Sequence, residues 1–181
     1  IPYPHLELNE INRKRLIEQL GLKLDRPVIG FMPGAEYGEA KRWPAENFSA
    51  LARKLINKGY RVWLFGSSKD EELGGTIIDM ADAGGGVVNF CGRTELEDAI
   101  DLISLTEAVV TNDSGSMHIA AALGKRIIAI YGSSTPEYTP PLTTHAEILY
   151  LDLECSPCFE RVCPLGHLDC LKKIQVDDVF D

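Results

Sequence analysis

The chain has 181 residues, of which 45% are hydrophobic and 25% are charged, and its formal net charge is −9. This length predicts one domain with a core large enough to fold without disulfides or metals. The excess of 27 acidic over 18 basic residues argues against a general nucleic-acid binder, so any anion site must be local. No apolar run approaches the ~20 residues of a membrane span, and residues 1–4 do not resemble a signal peptide. The chain does not begin with methionine, which indicates processing or truncation.

The first 25 residues predict a leading helix. Apolar residues recur at helical spacing over 8–20, and Gly21 suits the position where such a helix ends. The apolar residues expected on its buried face are Leu8, Ile11, Leu16, Ile17 and Leu20.

Between residues 26 and 151, short apolar runs alternate with helical patterns. The predicted strands are 28–32, 60–65, 87–90, 108–111, 126–131 and 148–151. The predicted helices are 45–57, 70–83, 95–105 and 116–123. Because the apolar runs are continuous rather than alternating, we expect the strands to be buried on both faces. This order predicts a Rossmann-like, doubly wound α/β domain with a parallel sheet covered by helices.

Residues 152–181 are predicted to form a loop-rich tail, in which Asp177 begins one further helix. Four of the five cysteines lie here with the spacing C-x2-C-x4-C-x6-C, namely Cys155, Cys158, Cys163 and Cys170. The fifth, Cys91, lies far away in sequence, so a closed disulfide framework is disfavoured and a reducing cytosol is favoured. Zinc ribbons usually pair two C-x2-C knuckles, and only one is present here. We therefore expect reduced structural thiols, with zinc or iron–sulfur binding as the minority hypothesis.

Ligands of open α/β sheets bind at the carboxyl ends of the strands, so the loops there hold the candidate site residues. The loop after the first predicted strand contains Gly34 and Gly38, which permit tight turns, and the adjacent cations Lys41 and Arg42. Pro44 suits the first position of the following helix, whose amino end carries partial positive charge. Together these features predict a phosphate site. The alternative is a solvated loop in which the Lys-Arg pair has no function.

A second polar loop covers residues 111–118 and opens the predicted fourth helix of this region. Backbone N–H groups and hydroxyls at a helix amino end form a second anion cradle, whose members would be Ser114, Gly115 and Ser116. A carboxylate beside a diphosphate is repulsive, so Asp113 is interpreted as a helix cap or as an acceptor for a sugar hydroxyl. The alternative is that Asp113 is only a cap and His118 an ordinary helix residue.

Two common nucleotide signatures are absent from the sequence. The lack of G-x-G-x-x-G weighs against an ordinary NAD or FAD site, and Lys125 is followed by Arg126 instead of the Ser or Thr of a P-loop. There is also no Ser/His/Asp hydrolase order and no H-E-x-x-H zinc helix. The strand-end loops 66–70 and 91–94 could line a nucleoside pocket, and the hydroxyl-rich loop 132–141 could close over a ligand.

These motifs resemble, in their order along the chain, the carboxyl-terminal half of the lipopolysaccharide heptosyltransferases, glycosyltransferase family 9. The resemblance spans residues 28–170 and is carried by 33–37, 41–44, 111–122, 131–141 and 155–170. It implies a GT-B architecture, in which two Rossmann-like domains face each other across a cleft. The whole chain, 1–181, would be the donor-binding domain, and the amino-terminal acceptor domain would be absent.

The resemblance also implies roles for individual residues. Lys41 would contact the phosphates of ADP-heptose and Asp113 would meet the heptose and diphosphate, which makes these two the expected catalytic residues. Thr94 would approach the adenine. The other expected donor contacts are Gly34, Glu36, Tyr37, Ser67, Ser114, Gly115, Ser116 and His118. The family's proposed general base is an aspartate of the missing domain, so we expect the chain alone to transfer nothing.

The function implied by the resemblance is transfer of L-glycero-D-manno-heptose from ADP-heptose to the inner core of lipopolysaccharide, with inversion and without a cofactor. The expected location is the cytoplasm, with at most peripheral contact at the inner membrane and no nucleic-acid partner. Two alternatives stay open: a GT-B relative that uses a UDP-sugar, such as an epimerase, and a non-catalytic nucleotide-binding module. A comparison of ADP with UDP binding distinguishes the first alternative from a heptosyltransferase. Restoring the amino-terminal domain and assaying heptose transfer distinguishes the second.

Overall fold

The computed structural model describes residues 2–181, which form six strands and seven α-helices. The strands are β1 (Val28–Met32), β2 (Arg61–Leu64), β3 (Val87–Asn89), β4 (Ala108–Asn112), β5 (Arg126–Ile130) and β6 (Ala146–Leu149). The helices are α1 (Glu10–Gln19), α2 (Ala45–Asn57), α3 (Glu71–Ala81), α4 (Leu96–Ser104), α5 (Gly115–Ala122), α6 (Asp169–Lys172) and α7 (Val176–Phe180). The predicted order of elements is confirmed through β6, with most boundaries displaced by one or two residues, but α6 was not predicted.

All six strands belong to one parallel sheet with the order β3-β2-β1-β4-β5-β6. β1 pairs with β2 on one side and with β4 on the other, so that Gly30 is in register with both Trp63 and Val109. From β1 the sheet grows through β2 to the edge strand β3, and the chain then returns to pair β4 with the other side of β1 and continues to the opposite edge strand β6. This is the doubly wound arrangement that the sequence predicts. At this reversal the loops after β1 and β4 separate and leave a cleft between them.

The central strands of the sheet are buried on both faces, whereas the edges depart from that prediction: no residue of β6 is buried, and Val88 in β3 is exposed. Side chains of β1 alternate between two clusters: Phe31 lies in one with Phe48 of α2, and Met32 lies in the other with Met117 of α5. All five residues of β1 are buried, which explains why the strand is a continuous apolar run.

The leading helix differs from its prediction. Asn9 caps it by accepting a hydrogen bond from the N–H of Asn12 at 3.0 Å. Of the five apolar residues expected on a buried face only Leu16 is buried, and Ile11 is 83% exposed. The helix is fastened to α4 by polar contacts, since Asn12 Nδ2 donates to the buried Asp101 at 2.7 Å. The amphipathic interpretation is therefore wrong, because hydrogen bonds do much of the docking that the apolar spacing was expected to provide.

The tail is loop-rich, as predicted. Residues 150–168 connect β6 to α6 without helix or strand. Trp43 Nε1 donates to the carbonyl of Ile174 at 3.0 Å and so ties the last helices to the loop after β1. The helix expected from Asp177 begins one residue earlier. Over residues 2–181, no helix is long and apolar enough to cross a membrane.

Candidate functional site

A cavity of about 150 Å³ opens at the carboxyl ends of β1, β2 and β4. It lies at the reversal point of the sheet, where open α/β sheets bind ligands. Six of the predicted donor residues line it: Gly34, Glu36, Ser67, Ser114, Gly115 and Ser116. The fold thus brings three loops that are separate in sequence together around one cavity.

The amino end of α5 faces this cavity. Ser114 is the N-cap residue, and within residues 2–181 the first-turn N–H groups of Gly115 and Ser116 have no hydrogen-bond acceptor. The Ser114 hydroxyl is buried and also lacks a partner there. Because buried polar groups are normally satisfied, these donors fit a ligand that carries phosphate or other acceptor oxygens.

Ser114, and not Asp113, is the N-cap residue of α5, so the interpretation of Asp113 as a helix cap is wrong. Its Oδ2 instead accepts hydrogen bonds from Lys41 Nζ (2.7 Å), Ser134 Oγ (2.7 Å) and Thr139 Oγ1 (3.1 Å). The ammonium is the stronger partner and draws the carboxylate away from the helix. The side chains of Asp113 and Lys41 are only 4% and 16% exposed. Among the described residues Oδ1 has no partner, and it is not sealed from solvent, so it can accept from a ligand hydroxyl.

The two hydroxyls on Asp113 were not among the predicted site residues. Ser134 and Thr139 belong to the loop 132–141, whose hydroxyl-rich composition at a strand end was the only signal for a site there. Tyr131 fixes this loop, because its Oη donates to the Thr139 carbonyl at 2.6 Å. Burial raises the pKa of Tyr131, and the charge of Asp113 adds to this, so the phenol remains a proton donor.

Asn112, the last residue of β4, holds the two loops of the site together. It is fully buried, its Oδ1 accepts from the N–H of Trp43 (3.0 Å), and its Nδ2 donates to the carbonyl of Pro33 (2.8 Å). These bonds fix the loop after β1 against the end of β4, which sets the separation of Lys41 and Asp113. The sequence reading placed Asn112 inside a motif but gave it no role.

Tyr37 lies between two cations. Its ring centroid is 5.0 Å from Lys41 Nζ and 4.9 Å from Arg161 Cζ, which is the geometry of cation–π contacts. Gly38 permits the close approach of the tail, because a Cβ there would overlap the Arg161 carbonyl oxygen. The N–H of Ala40 donates to that same oxygen at 3.0 Å. The tail therefore packs against the loop that carries Lys41.

A second carboxylate, Asp70, lines the cavity and was missing from the predicted site. It forms a capping box in which it accepts from the N–H (2.9 Å) and the Oγ (3.1 Å) of Ser67. Gly34 leaves room for this side chain, since a Cβ at this position would overlap the Asp70 carboxylate. The hydrogen bond and charge of Lys69 lower the pKa of Glu36, the other acidic residue of the lining. The cavity thus presents N–H donors from α5 and carboxylates from the loops after β1 and β2.

The remaining predicted residues lie outside this cavity. Thr94 is half-buried in the loop after β3 and His118 is exposed on α5, and neither lines it. Arg42 donates to the Ala35 carbonyl at 3.1 Å, so Lys41 alone of the basic pair contacts Asp113. Pro44 is the N-cap of α2, one residue before the first helical position that was predicted for it.

The four clustered cysteines line one small cavity of about 20 Å³ together with His167. All are free thiols, and within residues 2–181 no three His, Cys, Asp or Glu side chains are placed to hold a metal ion. Backbone N–H groups, that of Leu168 foremost, lower the pKa of Cys163. Burial raises the pKa of Cys170 to about 11. That these thiols are reduced and metal-free stays a prediction.

The sequence is similar to known proteins over most of its length. The family profile "Glycosyltransferase family 9 (heptosyltransferase)" matches residues 2–169. The chain is 45% identical over 151 residues to lipopolysaccharide heptosyltransferase 2 of Salmonella typhimurium, covering 82% of this chain and 43% of that protein. It is 50% identical over 140 residues to lipooligosaccharide heptosyltransferase 2 of Haemophilus influenzae, covering 76% of this chain and 40% of that protein.

The fold is similar to that of a solved structure, the ADP-heptose lipopolysaccharide heptosyltransferase II of Escherichia coli. The TM-score is 0.86 at 39% sequence identity, over 99% of this chain and 53% of that one. The chain spans less than half the length of the two curated relatives named above. Because the family profile matches nearly the whole chain, this protein belongs to glycosyltransferase family 9, the heptosyltransferases.

Proposed function

We propose that this chain is the donor-binding half of a GT-B enzyme that moves L-glycero-D-manno-heptose from ADP-heptose to the inner core of lipopolysaccharide, with inversion. The observation that carries the proposal is the Lys41–Asp113 pair at the carboxyl edge of the sheet, beside the unpaired N–H groups of α5. The names of the similar proteins support the choice of donor and acceptor, since they are heptosyltransferases of lipopolysaccharide or lipooligosaccharide.

The donor diphosphate is assigned to the amino end of α5. The N–H groups of Gly115 and Ser116 and the Ser114 hydroxyl supply uncharged donors. The Lys41 ammonium donates one N–H hydrogen bond to Asp113 and has two further N–H groups for phosphate oxygens. As ADP leaves, negative charge grows on its terminal phosphate, and these fixed donors stabilise that charge.

The carboxylates are assigned to hydroxyl groups of the donor. Asp113 offers its free Oδ1 to a heptose hydroxyl, while Lys41 and the loop after β5 hold its Oδ2 in place. Asp70 and Glu36 line the nucleotide side of the cavity, where they can accept from the ribose hydroxyls. Hydroxyl donors suit these positions, because phosphate oxygens would be repelled.

Inverting transfer requires a general base, and we assign that role to no residue of this chain. The acceptor hydroxyl oxygen attacks the anomeric carbon from the face opposite ADP, the bond from that carbon to the phosphate oxygen breaks, and the base takes the hydroxyl proton. Lys41, Ser134 and Thr139 already occupy one oxygen of Asp113, and the other is assigned to the donor. We place the base, the main binding surface for the lipid acceptor and any peripheral contact with the cytoplasmic membrane surface in the amino-terminal half.

Calorimetric titration of ADP, UDP and ADP-heptose into this chain tests the proposal. We expect ADP to bind more tightly than UDP, and ADP-heptose at least as tightly as ADP, because Asp113 adds a contact to the sugar. A clear preference for UDP would contradict the heptose donor. Heptose transfer by the isolated chain would contradict the placement of the base in the other half.

A further inference from the structure

An aromatic pair is exposed on the far side of the loop that binds Asp113. The rings of Tyr138 and Phe159 are stacked, with centroids 5.6 Å apart and planes inclined by 14°. Tyr138 is 74% exposed and Phe159 is 42% exposed, so both present apolar surface to solvent. Large aromatic side chains left exposed as a pair are unusual on a surface without a ligand or partner.

The backbone of Phe159 is held in an unfavourable conformation by groups of the donor site. Its φ of 57° lies in the left-handed region, which bulky residues rarely adopt. Its N–H donates to the Ser133 carbonyl at 2.7 Å, and its carbonyl accepts a hydrogen bond from the Tyr37 hydroxyl. These bonds tie the position of the aromatic pair to the loops that carry Lys41 and Asp113.

A cavity of about 270 Å³ lies against the aromatic pair, and its lining combines aromatic and acidic groups. Glu137 and Asp152 supply carboxylates, and among the described residues no lysine or arginine lines it. Tyr150 adds a hydroxyl that is sealed from solvent and has Asp152, Ser156 and Thr135 as polar neighbours. Carboxylates accept hydrogen bonds from neutral polyols and repel phosphates and other anions, so the cavity fits an uncharged sugar ring.

The sheet order places this cavity beyond the sugar end of the donor site. The nucleotide cavity lies at the ends of β2, β1 and β4, and Lys41 and Asp113 meet at the end of β4. The aromatic cavity lies at the ends of β5 and β6. Ser134 and Thr139 stand between the two, with their hydroxyls on Asp113. A donor bound with its heptose at Asp113 would thus have this cavity next to its reacting end.

We propose that Tyr138, Phe159 and the adjoining cavity form a subsite for a neutral sugar ring of the acceptor. The ring would lay its C–H face on Tyr138, because the aromatic face is electron-rich, and its hydroxyls would donate to Glu137 and Asp152. The inference rests on the proposed function, since Asp113 defines where the donor heptose ends. It assigns part of acceptor recognition to this half of the enzyme.

The test uses methyl α-D-mannopyranoside, a neutral pyranoside, with this chain and saturation-transfer NMR titration. We expect saturation of the ring protons in the wild type and binding about tenfold weaker in Tyr138→Ala and in Tyr138→Leu. Tyr3→Ala, which removes another exposed tyrosine, is the matched control and should bind like the wild type. Unchanged melting temperatures show that the variants are folded, as expected for a side chain so exposed.

A charged probe tests the acidic lining. Mannose 6-phosphate should bind more weakly than the neutral pyranoside, and the double variant Glu137→Gln/Asp152→Asn should narrow that difference. Absence of pyranoside binding to the wild type, or equal binding by Tyr138→Ala, would overturn the subsite. ADP titrated into the same variants should bind as in the wild type. If UDP is preferred while pyranoside binding still depends on Tyr138, the donor assignment fails and the sugar subsite stands.

Discussion

Lys41 Nζ lies 2.7 Å from Asp113 Oδ2, in a contact that joins loops 72 residues apart in sequence. The ammonium offsets the carboxylate, so a diphosphate entering beside α5 does not meet an unpaired negative charge. Ser134 and Thr139 hold the same oxygen from the other side, which keeps Asp113 from turning toward the phosphate. Under the proposed function, the pair is therefore positioned before the donor binds, and little rearrangement is needed when charge develops on the leaving group.

Replacing Lys41 by alanine should weaken ADP binding by roughly ten- to a hundredfold, because a charge-assisted contact typically contributes about 1.5–3 kcal/mol. The loss also leaves Asp113 uncompensated beside the diphosphate, which acts in the same direction. Calorimetry measures the change. Lys58→Ala, at the exposed end of α2, is the matched control for a lost positive charge and should leave the affinity unchanged. ADP binding by Lys41→Ala at wild-type affinity would show that the phosphates lie elsewhere.

Replacing Asp113 by alanine should affect ADP and ADP-heptose in different ways. Free ADP should bind as tightly as before or more tightly, since a carboxylate that repels phosphate has gone and Lys41 is released. ADP-heptose should lose the advantage that a sugar contact gives it, so the ratio of the two dissociation constants is the quantity to measure. Asp79→Ala, on the exposed face of α3, serves as the control. An equal loss for both ligands would place Asp113 on the nucleotide and not on the sugar.

The sheet could be predicted from the sequence because burial on both faces leaves a direct pattern. Every residue of β1 is apolar or glycine and buried, and the apolar stripe of α2, with Phe48 and Leu51, faces the sheet as its spacing indicates. α1 was predicted less well, because Asn12 fastens it through hydrogen bonds to α4. Residue spacing along one helix contains no information about a polar partner about 90 residues away.

The site could be predicted where one loop contains several polar residues, as at Ser114 and its neighbours. Asp70 and Thr139 were missed for a different reason. Each has a role only through a contact across the fold, Asp70 with the cavity that Gly34 opens and Thr139 with Asp113. The parallel sheet creates such contacts by bringing strand ends together, and a single sequence does not show which side chains will meet there.

Gly34→Ala should impair nucleotide binding without unfolding the chain. A Cβ at this position would overlap the Asp70 carboxylate, so Asp70 must shift and its capping bonds to Ser67 must weaken. We expect a several-fold loss of ADP affinity, measured by calorimetry, and little further loss in the double variant Gly34→Ala/Asp70→Ala, because Gly34→Ala has already displaced the Asp70 carboxylate. Gly75→Ala is the control, because a Cβ there meets open space on α3. It should stabilise the chain by about 0.5–1 kcal/mol, since alanine favours the helix, and leave ADP binding intact.

The thiols should react with iodoacetamide in an order set by their pKa values. Backbone N–H groups lower the pKa of Cys163, so at pH 7 a larger share of this thiol is the reactive thiolate than of an ordinary cysteine. Burial raises the pKa of Cys91 to about 12 and that of Cys170 to about 11, so both stay protonated and unreactive up to pH 9. Mass spectrometry of alkylated peptides over pH 6–9 should therefore show Cys163 modified before Cys91 and Cys170. Two results together would contradict the expectation of metal-free thiols. All four tail cysteines would be equally protected from alkylation until a chelator is added, and elemental analysis would find stoichiometric zinc or iron.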